Sequence, residues 1–308
     1  MTAGIVDLAA ARPGEIVDNG HFDSIGLTDE WIKRRTGIAA RHWIGENDSL
    51  LDTAAEVCRT VIERTEDPSS IGALVLVTTS GTDRVPGLAQ RVAQRAGLPE
   101  TVMAFDMNAA CSGFVFGLIT GLSLCDAGRL GSVLLCNAEA MSTMIDKTDR
   151  QTAVLFGDGV TATLLADRPE FAPFHGVAGG DGGRADLMRE LPGGGIHLDG
   201  VAVYDRAVRR MSETARTLCA GDPPPTVLIG HQANGRILEQ IRTFTTEFGV
   251  PFVNRIAASG NTSSATIPLA FADELADGAL PVKGRLGAVA YGAGESWGGV
   301  AVDYQVDR

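Results

Sequence analysis

The chain has 308 residues, 44% hydrophobic and 21% charged, with 38 glycines and a formal net charge of −12. That composition suits one large α/β unit or two core-forming halves, and the acidic balance, with no long basic run, argues against nucleic acid as a partner. No apolar run reaches the roughly eighteen residues of a membrane span, and "MTAGIVDLAAARPGE" lacks the basic start and long apolar run of a signal peptide.

In chain order, "TDEWIKR" reads as a helix start, and Ile71 to Gly81 as a buried strand running into Thr-Thr-Ser-Gly. Gly113 to Cys125 carries apolar residues at near-helical spacing, stopped by Asp126-Ala127-Gly128. Ser132 to Ala140 is a second buried strand, and Ala153 to Ala166 reads as strand, Gly-Asp-Gly turn, strand. Phe171 to Gly200 is glycine-rich and predicts loop. Asp205 to Ala220 predicts a helix, "TVLIG" a strand, and Arg236 to Phe248 a helix. A helix over Ile267 to Leu275 and strands in "GRLGAVAYGAG" and "WGGVAVDY" close the chain. Strands alternating with helices imply a parallel or mixed sheet covered on both faces. The element order suggests two similar halves, 1–168 and 169–308, within one unit without a linker.

The chemistry centres on "DMNAACSGFVFGL", where Cys111 stands at a strand-to-helix turn. A thiolate there gains from the exposed N–H groups of the helix's first turn, and Ala109, Ala110 and Gly113 leave room for a substrate. The plain alternative is a small buried hydrophobe. His231 follows "TVLIG" directly, at a strand's C-terminal end, where α/β sites are built; a satisfied core histidine is its alternative. Asn261 in "ASGNTSSATIP" is either an N-cap at a turn or the third member of a nucleophile constellation. The three lie far apart in the chain, so only the fold can unite them. The five cysteines (Cys58, Cys111, Cys125, Cys136, Cys219) are odd in number and show no C-x-x-C pair. They fit reduced thiols in a cytoplasm better than disulfides or a metal site.

"NAACSGF", "GHQANGRI", "GNTSSATIP", "TDEWIKRRTGI", "TDRQTAVLFGDG" and "YGAGESWGG" together resemble β-ketoacyl-acyl carrier protein synthase III, from about Thr28 to the C-terminus. The resemblance implies a thiolase-like fold of two duplicated α/β halves in five αβαβα layers, a homodimer, and a Cys111–His231–Asn261 triad. It implies that Cys111 takes an acyl group from acyl-CoA. His231 and Asn261 then support decarboxylation of a malonyl-acyl carrier protein, and backbone N–H groups of Cys111 and Ala293 hold the second oxyanion. No cofactor or metal is implied. Trp31 and Arg150 match positions that sandwich the adenine of coenzyme A, with Arg35 near its phosphates. Arg236 and Arg242 retain part of a basic patch for docking an acidic carrier. Taken by themselves, these residues read equally as a half-buried anchor and solvated charges.

Several positions depart from the family pattern. Val85 in "TDRVPG" replaces a bulky aromatic that gates the acyl pocket of the dimer mate, which suggests room for longer or branched acyl groups. "Gly292-Ala293-Gly294" replaces a triple glycine, Glu295 stands where an apolar residue is common, and the stretch between Arg150 and His231 is shortened. The main competing reading is an acyltransferase that passes the Cys111 acyl group to a hydroxyl, amine or carrier thiol without condensation. A papain-like hydrolase lacks its "CGSCW" signature here. A silent acyl-binding scaffold fits poorly with a complete triad, and "GAGESWG" lacks the dinucleotide-binding glycine spacing.

Overall fold

A computed structural model of the chain describes residues 2–83, 85–128 and 130–306. In its first half the elements are β1 (Ala3–Ala11), β2 (Glu15–Asp18), α1 (Asp29–Thr36), β3 (Ala40–Trp43), α2 (Leu50–Arg64), β4 (Ile71–Val77), α3 (Leu88–Ala96), β5 (Met103–Met107), α4 (Gly113–Asp126), β6 (Ser132–Ala140) and β7 (Asp158–Asp167). Then follow β8 (His175–Gly179), β9 (Met188–Glu190), β10 (Ile196–Leu198), α5 (Gly200–Cys219), β11 (Val227–Gly230), α6 (Gly235–Thr245) and β12 (Phe252–Val253). The chain closes with α7 (Ile256–Ser259), α8 (Thr266–Ala276), β13 (Lys283–Gly292) and β14 (Ser296–Gln305).

Among the described residues, ten strands form a continuous sheet of two five-stranded halves of the same design, and β2 with β3 and β9 with β10 form small pairs apart from it. One half runs β5-β4-β6-β7-β1 and the other β12-β11-β13-β14-β8. In each, the first two pairings are parallel and the last two antiparallel. They meet at a single parallel pair, Ile5 with Tyr304. Two halves with identical strand order and polarity are a duplication, which the sequence showed only as a similar succession of elements.

Side-chain alternation along the strands sets the layers. Leu74 and Leu76 of β4 pack with Val57, Cys58 and Val92 of α2 and α3, outside the first half-sheet. Ala73, Val75 and Val77 face inward, onto Phe114 and Leu118 of α4, in the same cluster as Val227 and Ile229 of β11 and Ile267 and Phe271 of α8. Leu228 and Val289 turn outward onto Met211 and Ala215 of α5 and Ile237 and Ile241 of α6. The succession is therefore helices, sheet, α4 and α8, sheet, helices: five layers. The central helices touch sheet on both sides, so α4 is apolar nearly all round. Its stripe Gly113, Gly117 and Gly121 brings it close to β4, β6 and β7. A Cβ at Gly117 would stand 2.6 Å from Leu135, and one at Gly121 2.6 Å from Leu165.

Two segments differ from their sequence reading. Ala153 to Ala166 is not a hairpin: the chain turns until Phe156, and a single strand starts at Asp158. Ala153, Val154 and Phe156 are apolar because they fill a separate cluster with Phe22 and Trp43. Asp158 is held by the backbone N–H groups of Ile44 and Ser142. Phe171 to Gly200 is not a plain loop, since β8 pairs with β14 and β9 with β10. The glycines of β8 mask the strand pattern; Gly176 and Gly179 leave space for Ile119 and Trp297. The helix expected from Asp205 starts at Gly200, capped by Asp199, whose carboxylate accepts the Ala202 N–H at 3.1 Å. The helix expected to reach Phe248 ends at Thr245 and continues as a single tighter turn.

Candidate active site

Cys111 sits in a tight turn, Ala110–Ser112, that leads into α4, and Ala110 takes φ +46° to make it. The thiol is buried. Gly292, at the end of β13, comes close to it: a Cβ there would stand 3.0 Å from the backbone nitrogens of Cys111 and Ser112. Glycine makes that tight approach easy, and it brings the following Ala293 beside the Cys111 turn. The two segments are tied together, since Ser112 Oγ donates to the Ser296 carbonyl at 3.0 Å.

The thiol's environment differs from the sequence expectation. Burial pushes Cys111 up to about 12, and the charge of Glu139 adds to the rise, while the neighbouring Ser263 side chain and Cys111's own backbone act the other way. The N-terminal end of α4 also favours the thiolate. The turn is placed as a reactive cysteine's would be, but desolvation is the larger influence on the resting group, and it holds the proton on sulfur.

His231 extends β11, its N–H bonded to the Val289 carbonyl at 2.8 Å. Its Nδ1 lies 2.6 Å from Thr266 Oγ1. Burial lowers its pKa to about 3, so the imidazole is neutral at physiological pH. Asn261 is held at both backbone groups, its N–H on the Leu155 carbonyl at 2.8 Å and its carbonyl on the Gly157 N–H at 3.0 Å. Its Oδ1 accepts the Ser263 N–H at 2.9 Å, which leaves the amide NH2 as the free end. Both side chains can therefore donate.

Cys111, His231 and Asn261 line one cavity of about 770 Å³. Trp31, Arg35, Arg150 and Arg236 line the same cavity, with Tyr204 and Met211 of α5. Arg35 stacks on the Trp31 ring, 5.2 Å from its centre. Arg150 donates to the Gly26 carbonyl at 3.0 Å. Arg242 lies outside this lining and pairs with Glu239 at 2.6 and 3.0 Å, so its charge is already engaged. A second cavity of about 760 Å³ also reaches Cys111; Met107, Phe116, Met141, Met144 and Ile196 line it with Ala293, and so do the polar Asn108, Arg189, Glu190 and Ser263. Val85 is fully exposed and lines neither cavity of its own chain.

Sequence reading missed several residues that shape the site. Glu139, buried on β6, accepts hydrogen bonds from Thr79 N–H at 2.9 Å and Ser264 Oγ at 2.7 Å, joining the loop after β4 to the loop of Asn261. Thr266 and Ser263 lie inside the quoted "GNTSSATIP", where only the asparagine drew attention. Tyr204 falls just before the helix expected from Asp205, and Met211 lies within that helix, where only the arginines drew attention. Among the described residues, no helix is long and apolar enough to cross a membrane.

Two duplicated half-sheets around a central helix pair, with a cysteine, a histidine and an asparagine delivered to one cavity, define a thiolase-like fold. Family models for 3-oxoacyl-[acyl-carrier-protein] synthase III match residues 105–187, and for its C-terminal part residues 225–304. The chain is 35% identical to a β-ketoacyl-[acyl-carrier-protein] synthase III of Streptomyces coelicolor, covering 97% of each. It is 33% identical to the synthase III of Staphylococcus saprophyticus, over 98% of this chain and 99% of that one. The crystal structure of the synthase III from Pseudomonas aeruginosa superposes with a TM-score of 0.90 at 32% identity, covering 99% of both chains. A priming β-ketosynthase from a polyketide biosynthetic pathway reaches 0.90 at 27% identity, covering 99% of this chain and 96% of that one. This chain belongs to the 3-oxoacyl-[acyl-carrier-protein] synthase III family of condensing enzymes.

Proposed function

We propose that the protein starts fatty-acid or polyketide chains by taking an acyl group from an acyl-CoA onto Cys111 and condensing it with a malonyl-carrier thioester. The observation that carries this reading is the position of Cys111 between two cavities. Only one of them contains His231 and Asn261, while the other joins Met107, Phe116, Met141, Met144 and Ile196 to polar residues that include Asn108, Arg189 and Glu190. The methionines, Phe116 and Ile196 of the second suit an acyl chain, and the cavity edged by Trp31, Arg35 and Arg150 suits the nucleotide and pantetheine arm of coenzyme A. With Arg35 already against one face of Trp31, an adenine held between Trp31 and Arg150 uses the ring's other face or displaces Arg35.

In the first half-reaction the Cys111 sulfur attacks the thioester carbonyl. A new C–S bond forms, the old one breaks, and the thiol proton leaves with coenzyme A. In the second, the malonyl thioester loses CO2, and the electron pair moves onto its carbonyl oxygen, where the donors of His231 and Asn261 receive the charge. The enolate carbon attacks the acyl-cysteine. The resulting oxyanion rests on the N–H groups of Cys111 and Ala293, and collapse returns the sulfur and releases the β-ketoacyl product. Asparagine matters here, because an ionised carboxylate at position 261 has no proton to donate.

Further proposals rest on the family resemblance. The chain works as a homodimer in the cytoplasm, with Val85 gating the mate's acyl cavity and its small side chain admitting longer or branched acyl groups. Arg236 leads the carrier-protein contact, with Arg242 joining only if Glu239 releases it. The division at Arg168 separates the half with the nucleophile from the half with His231 and Asn261.

Intact-protein mass spectrometry after a panel of acyl-CoAs, followed by malonyl-carrier protein, tests the reading. Acylation absent in Cys111→Ala, with CO2 release and a β-ketoacyl product, is the expected result. Acylation without decarboxylation assigns the protein instead to acyl transfer onto a hydroxyl, amine or carrier thiol.

A further inference from the structure

Histidine has two ring nitrogens, and which one carries the proton of the neutral form is set by the hydrogen bond the other makes. In this site the deciding partner is Thr266, the first residue of α8 and itself buried. Its hydroxyl has one proton and two acceptors within reach: His231 Nδ1 at 2.6 Å and the Ser263 carbonyl at 3.1 Å. The Ser263 carbonyl already accepts Thr266's own backbone N–H. Nδ1 is the closer acceptor, and the hydroxyl is the hydrogen-bond partner found for it. From this geometry we infer that Thr266 is a positioning residue for the condensation half-reaction: its hydroxyl donates to Nδ1 and so keeps the His231 proton on Nε2, where the ring is a donor and not a base.

The inference deepens the condensing-enzyme reading and rests on it. With Nε2 protonated, His231 matches Asn261, whose Oδ1 is likewise occupied by a backbone donor, the Ser263 N–H at 2.9 Å. The same short turn, Ser263–Ala265 and its flanks, thus orients both donors. Ser263 takes φ +51°, a conformation costly for a residue with a Cβ, and the turn that needs it places Asn261's partner N–H and Thr266 together. An Nε2-protonated imidazole cannot remove the Cys111 proton. Acylation therefore does not use His231 as a resting base, and the two half-reactions depend on Thr266 unequally.

The experiment separates the half-reactions in the full-length enzyme. Acylation of Cys111 is followed by intact mass, and decarboxylation of malonyl-carrier protein by CO2 release, in wild type, Thr266→Val and Thr266→Ser. Thr266→Val keeps the shape and removes the hydroxyl. Decarboxylation is expected to fall at least about tenfold and at most by the 10²- to 10³-fold loss of an entire donor, while acylation stays within about threefold; Thr266→Ser restores the first rate. A structural role alone would lower both rates together, and that result, or no loss in Thr266→Val, overturns the inference. A second reading needs no Thr266 variant to fold: ¹⁵N spectra of histidine-labelled wild type, assigned with His231→Gln, show which ring nitrogen is protonated. An Nε2–H tautomer supports the assignment, and an Nδ1–H tautomer refutes it. If wild type releases no CO2 from any malonyl thioester, the condensing reading fails, while the spectrum still decides the role of Thr266.

Discussion

Asn261 gives its Oδ1 to the backbone N–H of Ser263, 2.9 Å away, and thereby presents its NH2 to the cavity that contains Cys111. The side chain is a donor by construction, since its accepting end is already used. Asn261→Asp can keep the bond from Ser263 but loses both N–H donors. Decarboxylation of the malonyl thioester is expected to fall about 10²- to 10³-fold, with acyl-Cys111 still forming. Measuring CO2 release and acyl-enzyme mass on the same sample checks this, and equal loss of both would place Asn261 in acylation as well.

Cys111 faces two opposed influences, burial and the end of α4. With its thiol held near 12, the thiolate fraction climbs about tenfold per pH unit across the working range. Alkylation of Cys111 by iodoacetamide, read by intact mass from pH 7 to 10, is therefore expected to accelerate without a plateau. A plateau reached by pH 8 would show that the helix end outweighs desolvation and that acylation begins from a standing thiolate.

The buried imidazole also sets how stability responds to acid. His231 takes a proton near 6.5 when unfolded and only near 3 when folded. Between those values the unfolded chain binds more protons, so the contribution is complete above pH 6.5 and is lost as pH falls toward 3. The slope is up to about 1.4 kcal/mol per pH unit. Glu139 and Asp158, whose carboxyls burial raises, act with the opposite sign but are present in both proteins compared. Urea midpoints of wild type, taken from pH 7.5 to 4.5, should fall relative to those of His231→Gln as the pH drops. Parallel curves would contradict the account.

The sequence pointed to the family and to its fold class. Cys111, His231 and Asn261 drew attention because each stands at a turn, and the fold brings the three to one cavity. The apolar runs of β4, β6, α4 and β13 were legible because burial on both faces leaves little else. What sequence hid had physical reasons. β8 is built from glycines that make room for Ile119 and Trp297, and so shows no alternation. Ala153, Val154 and Phe156 are apolar for a cluster outside the sheet. The influence of Thr266 on His231 depends on a contact between residues 35 apart in the chain, which no local pattern announces. The burial that raises the Cys111 thiol belongs to packing and not to the turn.

Gly292 brings β13 against the Cys111 turn. A Cβ there would stand 3.0 Å from the backbone nitrogens of both Cys111 and Ser112 and 3.1 Å from Ser296 Oγ. Two of these three neighbours are backbone and cannot swing aside. Gly292→Ala is expected to slow acylation and decarboxylative condensation together, by about tenfold or more, because the oxyanion N–H groups proposed at Cys111 and Ala293 serve both. Rates within twofold of wild type for either half-reaction would show that those N–H groups are not shared.

Glu295 places an acid in the turn that starts at Ala293, and the structure shows what holds it. The side chain is buried, with Arg206 as its close partner and Arg210 at 3.6 Å, both from α5, the helix that lines the cavity of His231. Glu295 also takes φ +48°, and its carbonyl accepts the Asp181 N–H at 3.3 Å. The ion pair therefore fastens the turn carrying Ala293 to the wall of the substrate cavity. Arg210 has a second anchor, with its guanidinium 5.2 Å from the centre of the Trp297 ring, so it remains in place when the carboxylate is removed. Glu295→Ala leaves two arginines facing an empty, partly buried position, which is more damaging than deleting the whole group of charges. A clear fall in Tm is expected, with parallel losses in both half-reactions; Glu295→Gln, which keeps the shape and a hydrogen-bond acceptor, should lie between it and wild type. Thermal melts and the two rates measured on all three proteins decide the matter. An alanine variant with wild-type Tm and wild-type rates would mean that the turn holds its shape without the clamp.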